Sequence, residues 1–304
     1  MEIIPVDDHI TAIDHELLER PGVGVTYVVR GEDIALIETG TAMTVPRTLA
    51  GLEQLGIPRE AVSHILCTHI HMDHAGGAGH LAAELPRAAV YIHSMTMPHL
   101  VDPSRLMQSS RRAIGEAAWP LHGEMRPIPE ERLRPAESLR LDLGRDVVLE
   151  AIATPGHSPD HLSYRERRSS GLFIGDAAGL DMPQYNLFFP CTPPPTYDLA
   201  AQRNTIAMLR EQDISRLFVT HWGPHDDVED KLRRAHEKLE DLVAVVTAAM
   251  DAGDEDVAAI NARWLPEVRT DYPGALIAES WGEMSVVGLM RYEKKRRERE
   301  QSQA

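Results

Sequence analysis

Cysteine is nearly absent. The 304 residues hold two, too few for a disulfide framework to organise the fold. Cys67 sits in the apolar run Ile65-Leu66-Cys67 and reads as a small buried hydrophobe. Cys191 lies in a proline-rich loop and reads as a plain loop thiol. No stretch approaches the roughly 18 consecutive apolar residues of a membrane span, and Met1-Glu2-Ile3-Ile4-Pro5 has neither the basic start nor the apolar centre of a secretory leader. A cytoplasmic protein with no membrane partner is therefore expected. Positive charge is scarce too. The formal net charge of −16 repels polyanions, so nucleic acid is excluded as a partner. The one basic cluster, Arg291 to Arg299, is interleaved with Glu293 and Glu298 and reads as a solvated helix end. Internal repeats and low-complexity segments are missing as well. An apolar content of 43% with 26% charged residues leaves ample material for an ordinary globular core.

Against these absences stands one dense segment, Thr68-His69-Ile70-His71-Met72-Asp73-His74, with three histidines and a carboxylate in seven residues. In extended or irregular backbone, residues i and i+2 face the same way, so His69 and His71 can reach one metal ion while Asp73 and His74 turn towards a second. A helical metal motif spaces its histidines four apart instead. Further donors follow short apolar runs that read as buried strands: His157 after Val147 to Ala153, Asp176 after Leu172-Phe173, and His221 after Leu217-Phe218-Val219. A strand that ends in a polar residue beside Gly or Pro is how an α/β scaffold presents a site.

With these four separated motifs in this order, residues 20 to 225 resemble the metallo-β-lactamase fold superfamily, in particular its glyoxalase II-like and lactonase-like hydrolases. The resemblance implies an α/β fold, a four-layer αβ/βα sandwich, here with a C-terminal helical extension. It implies that His69, His71 and His157 bind a first metal, that Asp73, His74 and His221 bind a second, and that Asp176 bridges both. The best-known zinc β-lactamases place a cysteine where Asp176 stands, which argues against antibiotic hydrolysis. Glu38-Thr39-Gly40 stands where relatives commonly have Asp-x-Gly, a departure expected to shift a contact behind the ligands. His161 and His225, within four residues of proposed ligands, are candidates for supporting hydrogen bonds. His9, His15, His64, His80, His93, His99 and His122 read as ordinary surface or core histidines.

A catalytic domain over residues 1–226 and a helical extension over 227–304 are expected. Val25 to Val29 and Ile34 to Ile37 read as a hairpin around Gly31-Glu32-Asp33. Val45 to Leu55 and residues 198 to 211 read as helices, and Val62 to Cys67 as the strand that delivers the metal motif. Residues 94 to 134 read as a helical insertion that either covers the cleft or packs on the second sheet. Three C-terminal helices are expected, at Val228 to Met250, Glu255 to Leu265 and Tyr272 to about Glu300, with packing or homodimer formation as their role.

The chemistry implied is hydrolysis by a metal-bridging hydroxide, since coordination lowers the pKa of water to about 7. Asp73 is the expected catalytic residue, ligating its ion and orienting the nucleophile. Two divalent ions are expected, zinc first, with manganese or iron as alternatives. The expected substrate is a small carboxylic ester or thioester, a lactone or phosphotriester being also compatible. Many lactonases of the fold carry a tyrosine three residues after the bridging aspartate, where this chain has Gly179. Tyr185 and Phe188, in the aromatic and proline-rich stretch Asp181 to Tyr197, are the candidate substrate contacts. The competing reading is a persulfide dioxygenase-like oxidoreductase with a single iron. A flavodiiron reductase is excluded by His71, where that class has Glu, and by the lack of a flavodoxin-like region.

Overall fold

A computed structural model describes residues 1–265 and 274–303. In chain order the strands and helices are β1 (Ile3–Pro5), β2 (Ile10–Asp14), β3 (Val25–Arg30), β4 (Ile34–Ile37), α1 (Val45–Gln54), β5 (Val62–Leu66), α2 (Met72–Ala75), α3 (Ala78–Glu84), β6 (Ala89–Ile92), α4 (Met97–Val101), α5 (Ser104–Ile114), β7 (Leu133–Pro135) and β8 (Arg140–Asp142). There follow β9 (Val148–Ala153), β10 (Leu162–Glu166), β11 (Gly171–Gly175), β12 (Leu180–Met182), β13 (Leu187–Phe189), α6 (Leu199–Arg210), β14 (Arg216–Val219), β15 (Gly223–His225), α7 (Val228–Asp251), α8 (Val257–Trp264) and α9 (Gly274–Gln303). The chain forms two compact units, each assembled from three separate stretches.

The first unit, Met1–Ala153, Asp160–Gly175 and Ile214–Asp226, carries two sheets. One runs β1 to β7 in sequence order, antiparallel as far as β4 and parallel beyond. The other is ordered β15-β14-β11-β10-β9-β8, with β11 and β14 parallel. Period-two alternation decides which side chain goes where. Val25, Tyr27 and Val29 of β3 join Leu149, Tyr164, Phe173 and Phe218 in the core between the sheets, whereas Val28 faces the helical side.

Two tyrosines tie the sheets to the strand ends that carry candidate donors. Tyr27 Oη donates to the carbonyl of Val219 at 2.7 Å, and Tyr164 Oη donates to the carbonyl of Cys67 at 2.7 Å. Both rings are buried, with Tyr27 edge-on to Phe173 at 5.1 Å. A buried hydroxyl left unpaired costs about 1 to 3 kcal/mol, so each bond favours one relative placement of the sheets. Val219 and Cys67 immediately precede Thr220-His221 and Thr68-His69. Cys67 is buried, as expected, and that burial pushes its thiol well above the usual range.

The 94–134 segment packs against the outer, helical face of the first sheet. Leu100, Trp119 and Met125 share a buried cluster with Ile65, Val90 and Ile92, and Met97, Leu106, Met107 and Ile114 pack onto it. Of the two placements expected, packing on the second sheet is therefore not the one found. Apolar periodicity marks a face to be buried but does not name the partner that buries it.

The second unit comprises Thr154–Pro159, Asp176–Asp213 and Asp227–Ala304. Its helices α6, α7 and α8 start at Asp198, Asp227 and Asp256, whose carboxylates accept from the amides of Ala201, Asp230 and Ala259, satisfying amides that a helix start leaves bare. Along α7 the buried positions Leu232, Leu239, Leu242 and Val246 form the expected stripe. The helix α9 is tied to the chain after β13 by Thr192 Oγ1, which donates to the carbonyl of Ser285 at 2.6 Å. Tyr272, where this helix was expected to begin, lies outside the described residues.

Candidate metal centre

The dense motif is half loop and half helix. After β5 the chain runs through His69 without regular structure, and α2 begins at Met72 with His71 as the residue before it. Extended or irregular backbone was expected throughout. The turn of helix is favoured because the His74 carbonyl is held from outside, by the Thr39 amide at 2.9 Å and Thr39 Oγ1 at 2.7 Å. The following glycines permit this closeness: a Cβ on Gly77 would lie 2.4 Å from the Thr39 carbonyl oxygen.

Hydrogen bonds then set the tautomers in the first unit. The Thr68 hydroxyl donates to Glu38 Oε1 at 2.6 Å, which leaves it an acceptor towards His69 Nδ1 at 2.9 Å. His221 Nδ1 donates to the Val23 carbonyl at 2.6 Å. In both rings the proton sits on Nδ1 and the Nε2 lone pair is left for a metal. His69 Nε2 faces His71 Nδ1 at 2.9 Å. His74 Nε2 lies 3.3 Å from His221 Nε2 and 3.9 Å from Asp73 Oδ2, and His221 Nε2 lies 3.6 Å from the same oxygen. Tetrahedral bonds of ~2.1 Å to a zinc-like ion place ligand atoms about 3.4 Å apart. The trio Asp73, His74 and His221 therefore fits such an ion in spacing and in donor chemistry.

Glu38 organises this cluster from behind. Its Oε1 accepts from Thr68 and from Thr220 Oγ1 at 3.3 Å, and it stands 3.2 Å from His74 Nδ1. Thus one carboxylate, 1% exposed, meets the two threonines that precede candidate ligands His69 and His221 and the ring of a third candidate, His74. Its φ of 69° is the left-handed conformation that side chains other than glycine seldom adopt. The departure at Glu38-Thr39-Gly40 does fall on a contact behind the ligands.

The second unit brings His157, Asp176 and Cys191 together, with their donor atoms all within 4.8 Å of one another. His157 Nδ1 donates to the Cys191 carbonyl at 3.0 Å, so its Nε2 is the metal-facing nitrogen, 3.5 Å from Asp176 Oδ2. That separation also suits two ligands of one ion. Cys191 is buried and nearer to ligand candidates than its loop position implied.

Among the remaining histidines, His161 stacks near His69 with ring centroids 4.9 Å apart, and His225 bonds through Nε2 with the Trp222 carbonyl at 2.9 Å. His9, read as ordinary, is buried between Asp7, Asp8 and Glu166 at 2.9 to 3.1 Å. Asp160 was missed. Its Oδ2 accepts from the Ile70 amide at 2.9 Å and from Thr96 Oγ1 at 3.2 Å, holding the motif loop from the side. A carboxylate three residues after His157 was its one signal. His15 was also missed: it is fully buried beside Gly24 and Gly40, and burial, aided by His221 and His74, lowers its pKa to about 3. Tyr185 is half-buried in the turn between β12 and β13. Phe188 is buried in β13, with Arg234 4.4 Å and Lys231 5.3 Å from its ring centre.

Comparison with known proteins gives the family. The family model of the metallo-beta-lactamase superfamily matches residues 20–221, and the chain belongs to that superfamily. An uncharacterized protein of Bacillus subtilis, YobT, is 30% identical over 152 residues, covering 50% of this chain and 60% of the relative. A hydroxyacylglutathione hydrolase of Hahella chejuensis is 29% identical over 168 residues, 54% of this chain and 47% of that protein. The chain thus spans less than two thirds of the length of either relative. Among solved structures, the metallo-beta-lactamase superfamily protein ST1585 of Sulfolobus tokodaii superposes with a TM-score of 0.70 at 20% identity, covering 92% of this chain and 98% of that one. The shared fold is the αβ/βα sandwich expected from the motifs, with C-terminal helices.

Proposed function

We propose that the protein is a dinuclear metal-dependent hydrolase of a small carboxylic ester or thioester. In this reading His69, His71 and His157 take one ion, Asp73, His74 and His221 take the other, and Asp176 is shared. The observation that carries it is the trio Asp73, His74 and His221, whose donor atoms stand 3.3 to 3.9 Å apart, as ligands of one tetrahedral ion do. The family match across all seven residues supports the rest of the set. A superfamily relative named for hydrolysis of hydroxyacylglutathione, a thioester by its chemistry, supports the substrate class.

When bound, such ions supply a water acidified to a pKa of about 7 and polarise a carbonyl oxygen. The chain's own residues supply position and proton handling. Thr68, Val23 and Cys191 hold His69, His221 and His157 in the tautomer that presents Nε2. Asp73, 25% exposed while His74 and His221 are buried, is the ligand carboxylate with access to solvent and substrate. Its carboxylate orients the nucleophile and accepts a proton.

Elemental analysis is the test. The wild type should carry two ions per chain, Asp176→Ala should impair both, and His221→Ala should mainly weaken one. Full and equal metal retention in the two variants sinks the assignment, and a single iron in the wild type moves the reading to the persulfide dioxygenase class.

A further inference from the structure

His15 is fully buried, and among the described residues neither of its ring nitrogens meets a hydrogen-bond partner. An imidazole always has at least one nitrogen that donates, and leaving such a group buried and unpaired costs about 1 to 3 kcal/mol. The ring nevertheless has a slot built for it. A Cβ on Gly24 would lie 2.6 Å from its Cε1, and one on Gly40 would lie 3.0 Å from its Nε2. Two positions without side chains therefore make room for a polar ring that bonds to nothing among the described residues.

The slot lies among the segments that hold one ligand cluster. The His15 amide donates to the Gly24 carbonyl at 3.2 Å. On either side of Gly24, the Val23 carbonyl accepts from His221 Nδ1 at 2.6 Å and the Val25 amide donates to the Thr220 carbonyl at 3.1 Å. Gly40, which also comes close to the ring's Cε1, follows Thr39, whose amide and hydroxyl both hold the His74 carbonyl. The ring of His15 thus borders both the backbone that holds His221 and the backbone that holds His74. Among the described residues it is in no group of donors close enough to share an ion, so it stands outside the proposed ligand set.

We propose that His15 is a positioning residue for the ion of Asp73, His74 and His221: a neutral imidazole that hydrogen-bonds an oxygen atom brought to that ion by water or substrate, without ligating the ion. This rests on the dinuclear reading above. The role explains why a polar ring occupies a slot that an apolar side chain would fill without an unpaired nitrogen. A neutral imidazole can both donate to such an oxygen and accept from it.

The experiment measures metal affinity rather than turnover. Wild type, His15→Phe, His15→Met and His15→Gln are titrated with zinc against a chromophoric chelator and with cobalt by its visible spectrum, circular dichroism establishing that each is folded. Wild type should bind two ions. The phenylalanine and methionine variants should bind the first as wild type does and the second at least tenfold more weakly, with an altered cobalt spectrum. Glutamine, which donates and accepts, should restore second-ion affinity to within about threefold of wild type. Two apolar replacements of different shape mean that a folding defect in one leaves the other to decide. Unchanged second-ion affinity in a folded apolar variant overturns the inference alone, as does an equal loss in all three variants, which would mark the ring as packing. A wild type that binds one ion overturns the dinuclear reading, and this role with it.

Discussion

At position 38 a longer acid meets three partners, and each of them precedes or is a proposed ligand. All three meet one oxygen, Oε1, which glutamine could still offer, whereas alanine removes the acceptor from Thr68, Thr220 and the His74 ring at once. Glu38→Ala is therefore expected to weaken metal binding 10- to 100-fold; chelator competition that returns wild-type affinity would show that the carboxylate is dispensable. His15 carries a pH signature of its own. Burial takes its pKa from 6.5 to about 3, so between those values the unfolded chain binds a proton that the folded protein does not. The corresponding stability is present above pH 6.5 and is lost as pH falls towards 3, at up to about 1.4 kcal/mol per unit. In chelator-treated protein, the loss of stability from pH 6.5 to 5 measured by urea unfolding should be smaller for His15→Phe than for wild type, and equal losses would contradict it. The seven proposed ligands were legible because donors of metal-binding type follow apolar runs. Glu38 was legible only as a departure from a pattern, and His15 was not legible, because its meaning comes from two glycines 9 and 25 residues further along.

The elements themselves were largely readable. Helix α1 was expected at Val45 to Leu55 and spans Val45–Gln54, and the hairpin of β3 and β4 falls where its turn residues placed it. What periodicity left open was the partner of each apolar face, as the 94–134 segment shows. The hairpin of β12 and β13 illustrates the same point. Phe188 and Tyr185 were grouped as aromatic residues of one loop, yet Phe188 lies under Arg234 and Lys231 of α7 while Tyr185 is half-buried. Phe188→Ala is expected to lower stability by about 3 kcal/mol or more, in addition to any effect on substrate choice. Tyr185→Ala should leave stability within about 1 kcal/mol of wild type and shift the ratio of kcat/KM between an ester and a thioester. Denaturant unfolding and a two-substrate assay check both, and an unchanged ratio with normal metal content removes Tyr185 from the substrate contacts.

For the whole molecule, ions that bind the folded state alone stabilise it by mass action, about 2.7 kcal/mol when free metal stands at a hundred times its Kd. Adding chelator should therefore lower the melting temperature, and added zinc should restore it; a transition indifferent to both would mean that the proposed ligands hold no ion. The interleaving of the two units has a consequence for how the protein is made. All seven proposed ligands lie at or before His221, so every one has been synthesised before α7 begins at Val228. Yet His157 and Asp176 belong to the unit that also draws on Asp227–Ala304. The first unit's share of the proposed ligands is thus complete in the growing chain before the second unit's last stretch, Asp227–Ala304, has been made.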